Sequence, residues 1–214
     1  MQKIRHRAEQ GFTIVELLIA TSVFAIILLL VTYGILQIGR TYSKGVTETK
    51  TQQTASDVMD AITQDIQFDS SGAVLAAPSS GGNYVICIGN DRYTILTGKE
   101  LIEPPAVPNV AQDQSNYAVL VDTDLVGGCS TGTPQSLPPP PNPPTKPVEL
   151  LAPFMRVATI SVTPQAGNLY TVEVKVVYGA DGDLNSSHDG CQSGTTNQYC
   201  AVSDLTSTVE KRIN

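Results

Sequence analysis

The chain has 214 residues, a formal net charge of −7 and only 15% charged residues. This length allows one domain with a buried core, and the acidic charge without a Lys/Arg cluster beyond residue 7 argues against a nucleic-acid partner. The only histidines are His6 and His188, too few for a site built on imidazole base catalysis or metal ligation, so we do not expect an enzyme.

The N-terminal block combines a short basic leader with a long apolar run. Lys3, Arg5 and Arg7 outnumber Glu9 in residues 1–11, and the twenty residues from Leu17 to Leu36 carry no charge. As a helix these twenty residues rise about 30 Å, the thickness of a bilayer's hydrocarbon core, and the basic end is expected in the cytoplasm. An ordinary secretory signal has a shorter apolar core followed by a small-residue cleavage site, which this chain lacks.

The hexapeptide Gly11-Phe12-Thr13-Ile14-Val15-Glu16, between leader and apolar run, closely resembles the processing site of type IV prepilins and of type II secretion pseudopilins. The resemblance implies that prepilin peptidase cuts between Gly11 and Phe12, methylates the new amine of Phe12 and leaves the apolar helix in place. It also implies that Glu16 pairs with the Phe12 amine of a neighbouring subunit during assembly, which neutralises a carboxylate that lipid would penalise. The alternative is that Glu16 only complements the helix dipole, an effect of about 0.3–1 kcal/mol.

Beyond the apolar run the hydrophobic residues recur every three or four positions from Ile38 to Ile66. This period predicts one apolar stripe on a helix that runs from Phe12 to about Asp69. The threonine-rich segment Thr47–Thr54 is expected to be frayed or loosely covered, and the turn residues of 70–82 should end the helix. We divide the chain into a leader (1–11), a transmembrane or filament-core helix (12–36), an amphipathic half (37–70) and a head (71–214).

The sequence of the head predicts an antiparallel β-sheet. Short segments rich in Val, Ile, Thr and Tyr predict strands at Tyr84–Ile88, Tyr93–Leu96, Tyr117–Asp122, Met155–Thr163, Tyr170–Tyr178 and about Tyr199–Val209. Pro164–Asn168 is the expected turn of a hairpin. A long helix laid on an antiparallel sheet is an α+β architecture, and it is the pilin fold that the resemblance also implies.

A proline-rich segment interrupts the head at 134–153 and holds nine of the fourteen prolines. Such a run is polyproline II or disordered. It is either a spacer between strands or an exposed ligand for a proline-binding groove, and the sequence selects no partner.

Four cysteines, Cys87, Cys129, Cys191 and Cys200, follow the apolar run and so are expected in an oxidising compartment. Four cysteines allow three pairings. Local loop closure favours Cys191 with Cys200 and Cys87 with Cys129, while the spacing lacks the C-x2-C pairs of structural zinc sites.

An acidic loop contains Asp181, Asp183, Asn185 and Asp189. Their spacing matches the first, third, fifth and ninth ligand positions of a calcium loop. The match then fails, because the expected glycine and bidentate glutamate are replaced by Ser186 and Gln192. Calcium is therefore one interpretation, and an acidic turn that holds the backbone is the other.

These features predict a minor pilin or pseudopilin that crosses the inner membrane once. Its expected partners are an assembly platform and other pilin subunits, with which it forms a pilus or pseudopilus at the cell surface. A major pilin is the main alternative, disfavoured by the chain's length, its proline insertion and the lack of a proline in the apolar span. A DNA-uptake pilin conflicts with the charge after cleavage, −9 from 10 basic and 19 acidic residues. A membrane-anchored adhesin or enzyme would require an accidental match to the processing motif.

Overall fold

A computed structural model describes residues 11–68, 73–75, 83–98, 100, 118–123, 129, 148–193 and 199–212. The basic leader before Gly11 and the prolines of residues 134–147 lie outside these ranges. The chain divides into two compact units, Met1–Tyr42 and Ser43–Asn214. One helix and eight strands are described.

The helix α1 spans Ile14–Phe68, as the hydrophobic period predicts. Its 55 residues correspond to about 80 Å at 1.5 Å per residue. The apolar side chains before Thr51 are largely exposed, including Ile38 and Tyr42 at the start of the predicted stripe.

The second half of α1 supplies one wall of the core. Its buried apolar side chains are Ala55, Val58, Met59, Ile62 and Ile66, which follow the three- and four-residue spacing. Burial of each larger side chain stabilises the fold by roughly 1.5–3 kcal/mol.

The expectation of a loosely covered threonine segment is wrong at its C-terminal end. Thr51 is fully buried and Thr54 nearly so. The Thr51 hydroxyl donates to the carbonyl of Thr47 at 2.8 Å, which removes the cost of burying an unpaired hydroxyl.

The first sheet has five antiparallel strands in chain order. They are β1 (Ala73–Leu75), β2 (Asn83–Ile88), β3 (Asp91–Leu96), β4 (Val119–Asp122) and β5 (Val148–Glu149). Its inner face joins the cluster that contains the α1 stripe.

The second sheet has three antiparallel strands, β6 (Met155–Pro164), β7 (Leu169–Tyr178) and β8 (Ala201–Glu210). The predicted hairpin is confirmed, with Gly167 and Asn168 at positive φ in its turn. A bulge between Val157 and Thr159 shifts the β6 register, so that β6 places Met155, Val157, Ile160 and Val162 in the core.

The six predicted strands are present with ends shifted by one or two residues, and the α+β architecture is confirmed. Two short strands, β1 and β5, were not predicted. β1 has three residues and β5 two, so neither shows an alternation that a sequence pattern could reveal. β5 begins inside the segment that was expected to be irregular.

The two sheets meet along the free edge of β6. Thr97 forms a parallel bridge with Val157, and the Gly98 N–H donates to the Val157 carbonyl at 2.8 Å. The Tyr84 hydroxyl donates to the Ile160 carbonyl at 2.6 Å and accepts from the Ile160 N–H at 2.8 Å. The Tyr84 side chain of β2 therefore pairs with both the N–H and the carbonyl of Ile160 in β6. Its burial raises the pKa of Tyr84 to about 12.

Glu149 holds the short strand β5 in place. Its carboxylate accepts the N–H groups of Ala118 at 2.7 Å and of Val119 and Leu151 at 2.9 Å each. Burial raises the pKa of Glu149 to about 7, although these N–H groups favour the charged form.

We expect Tyr84→Phe to destabilise the head by about 1–3 kcal/mol, because it leaves the buried N–H and carbonyl of Ile160 without the Tyr84 hydroxyl. Urea unfolding of the full chain in detergent measures this change. Tyr178→Phe is the matched control, since Tyr178 is also partly buried against the core. Equal losses in both variants would show that the bridge adds no stability.

We expect the Glu149 contribution to stability to fall as pH rises from about 4.5 to about 7. Because the folded-state pKa is raised, the folded chain binds the proton more tightly over this window and unfolding releases it. The loss is on the order of 3–4 kcal/mol, because the pKa rises from 4.5 to about 7 and one pKa unit is about 1.4 kcal/mol.

Urea unfolding between pH 4.5 and 7.5, compared with Glu149→Gln, measures this dependence. The variant cannot titrate, so the stability advantage of the wild-type chain should shrink as pH rises. Parallel curves for the two proteins would contradict the prediction.

Candidate functional site

The predicted cleavage point lies on accessible chain directly before α1. Phe12 is 86% exposed, and no atom of the described residues lies within 4 Å of where a Cβ would stand on Gly11. Packing within this chain therefore does not require glycine at residue 11. A glycine at residue 11 would instead allow a protease to approach the Gly11 carbonyl closely.

Thr13 and Glu16 form a capping box at the N-terminus of α1. The Thr13 N–H donates to Glu16 Oε2 at 2.9 Å, and the Glu16 N–H donates to Thr13 Oγ1 at 3.3 Å. The Thr13 hydroxyl also donates to Glu16 Oε2, at 2.8 Å. Glu16 is thus a specific helix cap as well as a charge near the dipole.

This cap was not predicted from the sequence, although its signal is present there. A Thr-x-x-Glu pattern directly before an apolar helical run is the signature of a capping box. Glu16, the residue that the resemblance identifies for assembly, thus forms one local structure with Thr13.

The first half of α1 presents an apolar surface to its surroundings. Its large side chains are exposed throughout residues 14–36, and no residue after Glu16 in this range is charged. By length and hydropathy the helix is able to cross a membrane. In water such a surface would be strongly unfavourable, so we expect lipid or other helices to cover it.

The structure pairs Cys87 with Cys129 and Cys191 with Cys200, the two pairs that loop closure favours. The described residues contain no free cysteine. Cys191 also forms a β-bridge with Leu184, and Leu184 and Cys200 pack with Val177 in a small cluster. The second disulfide therefore closes a loop with its own apolar contacts.

A buried arginine lies beside the acidic loop. Arg156 is 3% exposed, and its Nη2 contacts Glu100 Oε2 at 2.9 Å and Asp181 Oδ1 at 2.5 Å. Nη1 donates to the Gly98 carbonyl at 3.3 Å. Arg156 therefore ties β6 to the segment after β3 and to the segment after β7. Its partners lie far apart in sequence, so no local pattern could have revealed this cluster.

The four residues proposed for calcium are divided between different partners. Asp181 pairs with Arg156, and Asn185 donates to Asp189 Oδ1 at 2.5 Å. Asp181 and Asp183 lie in one short 3-10 turn. Within the described part of the chain no group of three or more His, Cys, Asp or Glu side chains could hold a metal ion. Calcium binding by this loop stays a prediction.

The family comparison agrees with the geometry of the N-terminus. Residues 6–32 match the family model described as the prokaryotic N-terminal methylation motif, which is the type IV prepilin signature. No curated protein and no solved structure matches the chain.

With its long apolar helix and antiparallel sheets, the chain has a pilin-like α+β architecture. The matched motif supports a type IV pilin-like protein. The motif implies processing by prepilin peptidase and assembly with other pilins, and together with the apolar helix it indicates a membrane-anchored, pilus-associated protein.

Replacing both Cys191 and Cys200 by serine should loosen the loop between Leu184 and Tyr199 and increase its cleavage by proteases. Loss of a short disulfide-closed loop removes roughly 2–3 kcal/mol in the chain-entropy model. Limited proteolysis followed by mass spectrometry identifies the cleaved bonds. Unchanged protease sensitivity would show that the apolar contacts of Leu184 alone hold the loop.

Proposed function

We propose that the chain is a minor pilin or pseudopilin, a structural subunit of a type IV pilus or a type II secretion pseudopilus. In this proposal the prepilin peptidase cuts between Gly11 and Phe12 and methylates the Phe12 amine. The protein then crosses the inner membrane once, with the leader end in the cytoplasm, and enters the filament through α1. The observation that supports this most directly is the match of residues 6–32 to the N-terminal methylation motif, which contains the cleavage point and the capping box of Thr13 and Glu16.

The cap is compatible with processing. Cleavage after Gly11 leaves Thr13 as the second residue of the mature chain, so the Thr13 N–H and hydroxyl remain available to Glu16. Both donate to the same oxygen, Oε2, and no described residue donates to Oε1. Oε1 can then accept the cationic Phe12 amine of a neighbouring subunit. Such a pair offsets part of the cost of placing a carboxylate beside lipid.

A structural role is also favoured over catalysis. Proteins with the prepilin motif are structural subunits. The ion pairs of the buried Arg156 with Glu100 and Asp181 join segments of the chain, as a structural role requires. The partners in this proposal are the prepilin peptidase, other pilin subunits, the assembly platform and the inner membrane.

The chain's length and its proline-rich insertion favour a minor subunit over a major pilin. The acidic charge favours filament assembly over DNA uptake, because DNA binding requires clustered basic side chains.

We expect Glu16→Gln to be cleaved normally and to be at least tenfold depleted from filaments. The amide oxygen of Gln still accepts the Thr13 N–H and keeps the helix capped, but the variant cannot pair with a neighbour's amine. Immunoblots of whole cells and of sheared filaments separate cleavage from incorporation.

Gly11→Val and Thr13→Ser are the companion variants. Gly11→Val should accumulate the uncleaved chain, whereas Thr13→Ser keeps the hydroxyl and should be incorporated like the wild-type chain. Cleavage that is indifferent to Gly11→Val would refute prepilin processing. Normal incorporation of Glu16→Gln would refute only the assembly role of Glu16.

A further inference from the structure

The strand β8 has one edge with which nothing in the described part of the chain pairs. Along its other edge, every residue from Ala201 to Glu210 lies opposite a residue of β7. The order β6–β7–β8 makes β8 the last strand of its sheet. In an antiparallel strand, every second residue directs its N–H and carbonyl away from the paired neighbour. About five residues of β8 therefore offer backbone donors and acceptors at this outward edge.

The other three sheet edges are short or covered, as is usual for edges that must not recruit another strand. β1 has three residues and β5 has two. β6 is as long as β8, but it contains a bulge and ends in Pro164. Thr97, Gly98 and the Tyr84 hydroxyl also bind the edge of β6. Each of these edges is thus protected from a further strand.

β8 has none of these protections. Its sequence, AVSDLTSTVE, contains no proline, lysine or glycine, and its ten residues pair with β7 without a register shift. A long and regular edge of this kind is a template for another strand, because the new backbone hydrogen bonds form without a change in the existing sheet. The backbone of β8 is therefore suited to accept an added strand.

The inner face of the three-stranded sheet is incompletely covered at β8. Leu205 and Ser207 are only partly buried. Their partners in β7, Val174 and Val172, are fully buried. Leu205 lies against the main core cluster but is not enclosed by it. An added strand would place its own side chains directly beside Leu205, so apolar residues at those positions would extend the core.

The outer face of β8 is acidic. Its exposed side chains are Val202, Asp204, Thr206, Thr208 and Glu210. Lys175 of β7 lies opposite Asp204, but Glu210 lies opposite Leu169. Neither acid forms an ion pair with a described residue. A neighbouring strand with Lys or Arg opposite these two acids would complement them, because opposite charges on adjacent strands attract.

The same charge argues against a second copy of β8 as the added strand. β8 contains Asp204 and Glu210 but no basic residue. Two copies paired along this edge would bring the carboxylates of both onto one ribbon, with no basic side chain of β8 to offset them. Since like charges on adjacent strands are destabilising, the charge favours a basic partner from another chain.

We propose that the outward edge of β8 binds an extended segment of a different protein chain, which adds a fourth strand to the three-stranded sheet. The segment has apolar residues beside Leu205 and basic residues opposite Asp204 and Glu210. Backbone hydrogen bonds to β8 supply the affinity, and these side chains supply the specificity. The proposal uses only residues of the head and goes beyond the proposed function, so either can fail while the other stands.

A synthetic peptide as long as β8, KVTVTVKVTV, is the probe. Aligned antiparallel to β8, it places its lysines opposite Glu210 and Asp204 and its valines on the inner face. We expect it to slow hydrogen exchange of the outward N–H groups of β8 at least tenfold, measured by NMR of the full chain in detergent. No protection at millimolar peptide would overturn the proposal. Protection that grows with protein concentration without peptide would also overturn it, because the occupant would then be a second copy.

Backbone methylation of the peptide tests whether it binds as a strand. Methyl groups on the nitrogens of its odd-numbered residues block one edge of the peptide, and methyl groups on those of its even-numbered residues block the other. One of these two peptides should bind at least tenfold more weakly than the parent peptide, and the other should stay within about threefold. Equal affinities of the two methylated peptides would contradict strand addition.

Charge variants of the full chain test the basic character of the partner. Asp204→Asn combined with Glu210→Gln should weaken binding of the lysine peptide about tenfold. The matched control is Asp57→Asn combined with Asp60→Asn, which removes two exposed acids of α1 and should change the affinity less than twofold. Equal weakening in both double variants would overturn the proposal, because the peptide would then respond only to net charge.

Discussion

The apolar stripe of α1 is the contact on which the rest of the head depends. Ala55, Val58, Met59, Ile62 and Ile66 share one cluster with the inner faces of both sheets. Neither sheet could bury its inner face alone, because isolated small sheets are only marginally stable in water. The same helix carries exposed apolar residues in its first half. One element therefore organises the folded head and also carries an apolar surface long enough to cross a membrane.

Polar groups secure the places where distant segments of the head meet. Tyr84 binds the free edge of β6, Glu149 holds β5 against β4, and Arg156 ties together three segments. Each of these groups is largely buried, so a shift in strand register would leave donors or acceptors unpaired at a cost of about 1–3 kcal/mol each. Hydrophobic burial stabilises the head, whereas these polar contacts select one arrangement of its strands.

Periodic patterns in the sequence predicted most of the fold. The 3.6-residue period located α1, and β-rich runs with turn residues located the longer strands and the β6–β7 hairpin. β1 and β5 were missed because strands of two or three residues have no measurable period. The division into two sheets was also missed. The sheets are joined by the bridge between Thr97 and Val157 and by the Tyr84 hydroxyl, contacts between residues about 60 to 76 positions apart in the chain, which no local pattern reveals.

The sequence by itself determined the processing motif at Gly11 and Phe12, the apolar span and the charge asymmetry of the N-terminus. These features are local, because recognition by a peptidase and insertion into a bilayer both depend on consecutive residues. Only the tertiary structure decided that Asp181 faces Arg156 and that Glu149 accepts three N–H groups. Those roles depend on which segments meet in space, and burial of the shared core, not local pattern, brings those segments together.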